Sequence, residues 1–261
     1  MDLTNFWFSS GAAGGGGGDP GDPIGQSLRF RGGQRLTRSG MSRPAGDYTY
    51  SVWVKCAWTN SIDNNSIFGN STSVRGFKIG NPNGTNANQL ACRDGTSLNV
   101  FDTGSRLRDP SAWYHFVFQT VGTDTTAFVN GVQLGNAVNT FSATGNAVIG
   151  SGNAGNMDEA FHGYMAEVYC IDGQTLAPTA FGRENADGVW VPVAYDGDAA
   201  DYGANGFHLT FEDPNDIGED SAPVGATGHT AANDFTPDGF ELTDDEDPDY
   251  DLMDDSPTQN Y

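Results

Sequence analysis

The feature that most constrains this 261-residue chain is an alternation of period two, recurring in short runs broken by Gly, Asn and Asp from Gln26 to Ile171. Tyr48, Tyr50, Val52 and Val54 alternate with Thr49, Ser51, Trp53 and Lys55, and Tyr114, Phe116 and Phe118 alternate with His115, Val117 and Gln119. Tyr164, Ala166, Val168 and Cys170 alternate with Met165, Glu167, Tyr169 and Ile171 before Asp172-Gly173 turns the chain. Successive side chains of a strand point to opposite faces, so each run offers one apolar face. Asn130-Gly131, between Thr125–Val129 and Val132–Leu134, supplies the two positive φ angles of a tight hairpin. No apolar i, i+3, i+4 repeat persists for ten residues before residue 175, and only Ala177–Glu184 reads as a helical turn or two. Two stacked antiparallel sheets are the way to bury such faces.

Charge divides the chain a second way. Up to Arg183 it carries all 12 basic residues and 13 acidic ones, and from Glu184 to Tyr261 it carries 21 acidic and none basic. A block of one sign repels itself and is expected to be extended, or neutralised by cations or a basic partner. At the other end, Phe6-Trp7-Phe8 precedes the glycines Gly14 to Gly18, a tether bearing an aromatic anchor. The expected organisation is therefore a tether over 1–26, a sandwich over 27–195 and an acidic extended arm with small β elements over 196–261. A net charge of −22 argues against nucleic-acid binding, and no apolar run is long enough for a membrane span. No basic, apolar leader opens the chain, so a cleaved secretory signal is not expected. Cys56, Cys92 and Cys170 are an odd set, read as small buried hydrophobes.

Ser27-Leu28-Arg29-Phe30, Leu36-Thr37-Arg38, Tyr48–Lys55, Ser66–Gly69, Trp113–Val117, Ala127–Val132 and Phe161–Asp172, in this order, resemble the laminin-G-like, concanavalin A-like jelly roll. The wording is similar to that of virion proteins of tailed phages, especially marine ones. There a stretch like Tyr202–Phe211, an Asn233–Pro237 element and an Asp255–Tyr261 element follow the sandwich. The segment Ser221–Ala232 and the heavy acidic run Asp244–Asp251 depart from that pattern. The resemblance implies an all-β jelly-roll sandwich in a tail fibre, spike or capsid-associated appendage. Such a protein is made in the host cytoplasm and binds other virion proteins as a homo-oligomer, trimers being common. Phe6, Trp7 and Phe8, with Phe207, Phe211, Phe235 and Phe240, are the candidate subunit anchors; for the last four a β-rich satellite of the same domain reads equally well.

Turnover finds little support. A glycosidase needs two converging carboxylates, yet Glu167 is the one acid inside a clear strand and has no partner at 165 or 169. His115, His162, His208 and His229 lack zinc-site spacing and read as structural. No cofactor is expected. Calcium is the one metal the residues raise: Asp245, Asp247, Asp249 and Asp251 recur at every second position, but Tyr250 stands where an EF-hand needs Gly. A host-surface glycan would find an aromatic and polar groups at Trp58, Asn60, Asp63, Asn64 and Asn65, a composition that also fits a core-edge tryptophan and an ordinary turn. A non-enzymatic virion adhesion protein is the reading favoured, with a stand-alone lectin and a glycoside hydrolase on the same fold as alternatives.

Overall fold

The computed structural model describes residues 24–40, 44–57, 65–70, 76–80, 89–94, 97–101, 107–138, 145–152, 159–223, 234–242 and 250–257. The chain runs through β1 (Ser27–Arg31), β2 (Arg35–Arg38), β3 (Tyr48–Cys56), β4 (Asn65–Asn70), β5 (Gly76–Ile79), β6 (Leu90–Asp94) and β7 (Ser97–Val100). Next come β8 (Tyr114–Val121), β9 (Asp124–Val129), β10 (Val132–Val138), β11 (Ala147–Ile149) and β12 (His162–Asp172). One turn of 3-10 helix, Pro178–Ala180, leads to β13 (Gly182–Glu184) and β14 (Trp190–Pro192). The last strands are β15 (Phe207–Leu209), β16 (Thr236–Asp238) and β17 (Leu252–Met253). The Ala177–Glu184 segment is thus a single helical turn that passes directly into a strand.

Two antiparallel sheets form the sandwich. The first has the order β10-β9-β8-β3-β12-β1-β17 with β15 also on β12, and the second β16-β2-β11-β4-β5-β6-β7. Their facing sides interlock through rings: Tyr50 of β3 stacks on Phe68 of β4 at 4.3 Å, and Phe118 of β8 stacks on Phe77 of β5 at 4.0 Å. Offset rings at this spacing bury large apolar areas and fix the separation of the sheets. The Asn130-Gly131 hairpin forms as expected, with φ of 47° and 77°. All three cysteines are free and buried.

The outer face of the first sheet is not left to water. Thr49, Ser51 and Trp53 are buried, because the chain from Gln174 to Tyr195 folds back over them. Thr49 Oγ1 donates to the Gln174 carbonyl at 2.9 Å and accepts from the Leu176 amide at 2.8 Å. A strand covered on both sides loses the polar face that alternation would otherwise show.

In β12 the expected alternation changes phase. Met165, Val168 and Cys170 face the main core, whereas Ala166, Tyr169 and Ile171 pack on the outer face. A β-bulge between Ala166 and Tyr169 inserts one residue, so the single face predicted for Tyr164, Ala166, Val168 and Cys170 does not exist.

The acidic segment also departs from the picture of an arm gripping neighbours. Its strands pair within the sandwich: β15 with β12, β16 with β2 and β17 with β1. Phe207, Phe211 and Phe235 are buried in this chain's own core, and Phe240 packs edge-on against Phe30 at 5.3 Å. These four are therefore corrected from subunit anchors to internal packing residues. A neutralising partner is supplied by the chain itself: Arg35 pairs with Asp238 at 2.6 Å, Lys55 with Asp255 at 2.7 Å, and Arg31 and Arg29 with Asp251 at 2.8 and 3.3 Å. Phe6, Trp7 and Phe8 lie outside the described residues.

Candidate functional site

The bulge in β12 builds the most distinctive site among the described residues. One edge of β12 is shared by two strands, β1 along residues 162–165 and β15 along residues 168–170. Glu167 stands in the gap between them, with φ of 50°. A non-glycine residue in this left-handed region is held at a cost of order 1 kcal/mol, and such outliers gather at sites of function. Its Oε2 accepts two hydrogen bonds, from Tyr169 Oη at 2.6 Å and from His208 Nε2 at 2.7 Å. The His208 ring stacks on Tyr169 at 3.9 Å, while its backbone N–H donates to Asp220 Oδ1 at 2.9 Å. Burial, and then the neighbouring Glu167 charge, push the Tyr169 hydroxyl far up, so it remains a donor at any working pH.

Glu167, Tyr169 and His208 line an open cleft of about 210 Å3 together with Trp53, Tyr195 and Glu212. Phe211, with φ of 62°, turns its ring into the core, and Thr210 and Glu212 on either side of it border the cleft. Two of the four non-glycine residues with positive φ among the described residues thus lie at or next to one depression. Glu212 brings a second carboxylate to the cleft that Glu167 lines. It is 45 positions away in sequence and outside any strand, so no spacing rule finds it; β15 pairing with β12 does.

A Ser–His contact lies nearby but is not a nucleophile. Ser51 Oγ is 2.8 Å from His115 Nε2, and Trp190 Nε1–H donates to His115 Nδ1 at 3.0 Å. With Nδ1 accepting, the proton of the neutral ring sits on Nε2, which donates to Ser51 and cannot act as its base. Both residues are fully buried. On the second sheet, buried Lys78 pairs with Glu159, which also accepts from Ser66 Oγ at 3.4 Å.

Of the residues picked for glycan, Trp58, Asn60, Asp63 and Asn64 lie outside the described residues. Asn65 is corrected: it is buried in β4, and its Oδ1 accepts from the His162 amide at 3.2 Å. Asp251, offered as a calcium ligand, is instead a fully buried partner of two arginines, and its Oδ2 accepts from the Glu241 amide at 2.9 Å. Asp245, Asp247, Asp249 and His229 lie outside the described residues. Among the described residues no three His, Cys, Asp or Glu side chains are grouped to hold a metal ion.

The family described as "Concanavalin A-like lectin/glucanases superfamily" matches residues 31–179. No curated protein sequence matches. Among solved structures, a Bacteroides ovatus protein whose name gives carbohydrate binding as an inferred role is 19% identical, with TM-score 0.47 over 60% of this chain and 45% of that one. The heptameric SAP-like pentraxin of Limulus polyphemus is 17% identical, with TM-score 0.46 over 60% of this chain and 80% of its own. Domain 4 of the Geobacillus stearothermophilus arabinanase AbnA, solved with arabinotriose, is 22% identical, with TM-score 0.45 over 63% of this chain and 79% of its own. The chain spans less than half of the Bacteroides protein.

Proposed function

The chain belongs to the concanavalin A-like lectin/glucanases superfamily, and from that premise we propose that it is a binding protein without turnover: a tailed-phage virion protein that takes host-surface glycan in the cleft beside Glu167. The observation that carries the glycan reading is the pairing of a fixed acceptor with rings in one open depression. Glu167 is held by Tyr169 and His208, with Tyr195 on the wall. Sugar recognition needs this combination of flat apolar faces and oriented polar groups. The virion assignment rests on the ordered resemblance from Ser27 to Tyr261. Other virion subunits, with a homo-oligomer and a trimer first among the symmetries, are its proposed partners.

A glycan array of wild-type protein, Tyr195→Ala and Trp58→Ala tests the binding site. Signal lost in Tyr195→Ala and kept in Trp58→Ala supports the cleft, the reverse transfers the site to the Trp58 loop, and no signal in wild type rejects glycan binding. Mass spectrometry of purified particles separates a virion protein from a stand-alone lectin. The second reading, a glycoside hydrolase, draws on Glu212 joining Glu167 in the cleft. A polysaccharide-release assay that yields reducing ends from wild type but not from Glu212→Gln would establish it in place of binding.

A further inference from the structure

Resting on the glycan reading, we propose that the cleft is selective for a saccharide carrying a free ammonium group, a hexosamine unit without its acetyl cap, with the ammonium between Glu212 and Glu167 and a ring face on Tyr195. The residues around the depression include the two carboxylates and no lysine or arginine. All 12 basic residues precede Glu184, and Arg29, Arg31, Arg35, Lys55 and Lys78 are engaged in ion pairs elsewhere. A sialic acid or uronate would therefore meet negative charge, and the one imidazole on the cleft, His208, is already bonded to Glu167.

The local field extends beyond the two carboxylates. Burial, then the charges of Asp201, Asp196 and Asp198, push the Tyr195 hydroxyl above its ordinary value. That wall therefore senses three further acids. Aromatic faces attract an ammonium through their quadrupole, most strongly where water is partly excluded. Trp53 and Tyr169 are buried and stacked on His115 and His208, so the face available beside the carboxylates is that of the half-buried Tyr195. Volume sets the size of the ligand. At about 210 Å3 the cleft falls below the roughly 300 Å3 at which pockets for drug-sized ligands begin, so it admits a single ring rather than a chain.

Isothermal titration with a glucosamine trimer, its fully N-acetylated counterpart and a sialylated trisaccharide tests the proposal. The acetylated trimer keeps the shape and removes the charge. We expect the glucosamine trimer to bind about tenfold more tightly than the acetylated one, and the sialylated sugar not to bind. Glu212→Gln, on an exposed side chain, should abolish that preference. Asp187→Asn removes the same charge from an exposed turn and should leave it intact, which separates a site from general attraction of cations to a chain of net charge −22. Equal or tighter binding of the acetylated trimer overturns the ammonium selectivity, and so does an equal effect of the two substitutions. If the array finds neutral glycans that need Tyr195, the glycan reading stands and only the selectivity falls; if no saccharide binds, both fall.

Discussion

Trp190 donates its indole N–H to His115 Nδ1 over 3.0 Å, and the two rings lie nearly parallel, 19° apart. Trp53 stacks on the same imidazole at 4.8 Å. A histidine in contact with two indoles, far from water, resists protonation, and burial pushes His115 down to about 3. In the unfolded chain it titrates near 6.5. The unfolded state therefore binds a proton below that value which the native state refuses, so this contribution is complete above pH 6.5 and drains as pH falls toward 3. From pH 6.5 to 5 the loss from this one group is about 2 kcal/mol. Urea unfolding at the two pH values measures it. In His115→Gln, which keeps a donor and an acceptor, that share of the pH dependence should vanish; an unchanged slope would refute the assignment.

Asp251 ties the end of the chain to its beginning. Its carboxylate is fully buried, while the Arg29 and Arg31 side chains keep 20% and 34% of their exposure. Removing the acid leaves cations that still reach water, so Asp251→Ala should cost about 3 kcal/mol, the lower end for a broken buried pair. Asp254→Ala, three residues on and exposed, should stay within about 0.5 kcal/mol. Equal denaturation midpoints for the two variants would show that the tail is not pinned by this contact.

Gly218 permits the segment around Phe235 to close on the core. Phe235 N–H donates to the Gly218 carbonyl at 2.8 Å, and a Cβ on Gly218 would lie 1.7 Å from the Phe235 carbonyl oxygen. Gly218→Ala must push the two backbones apart and should lose about 2 kcal/mol or more. Gly33→Ala, with nothing within 4 Å of its added methyl, should be silent in the same urea titration.

The thiols offer a chemical check on the packing. Cys56, Cys92 and Cys170 are all buried, and desolvation raises the Cys56 and Cys170 thiols well above their ordinary range. Since the thiolate is the reactive form, native protein should not react with Ellman's reagent, and three thiols should appear in denaturant. Rapid labelling of native protein would contradict the burial.

Much of the architecture was legible before any coordinates. The alternating runs around Tyr50 and Phe118 announce strands because burial on one side of a pleat imposes period two whatever the partners are. Asn130-Gly131 announces its hairpin because few dipeptides tolerate two positive φ angles. The site was not legible. Glu167 was visible as a lone acid in a strand, but the bulge that re-aims it leaves no local mark.

Sequence alone settled that this chain is an all-β sandwich with a strongly acidic last third, since periodicity and charge are properties of short windows read in order. Which side chains share a cleft, and whether the acidic third leaves the body or closes upon it, was decided by tertiary structure. Glu167 and Glu212 come to line one cleft, and Arg29 and Arg31 meet Asp251, through strand pairings between segments far apart in sequence. Such pairings depend on the summed burial of Phe207, Phe211 and Phe235 against the whole core, an energy that no window contains.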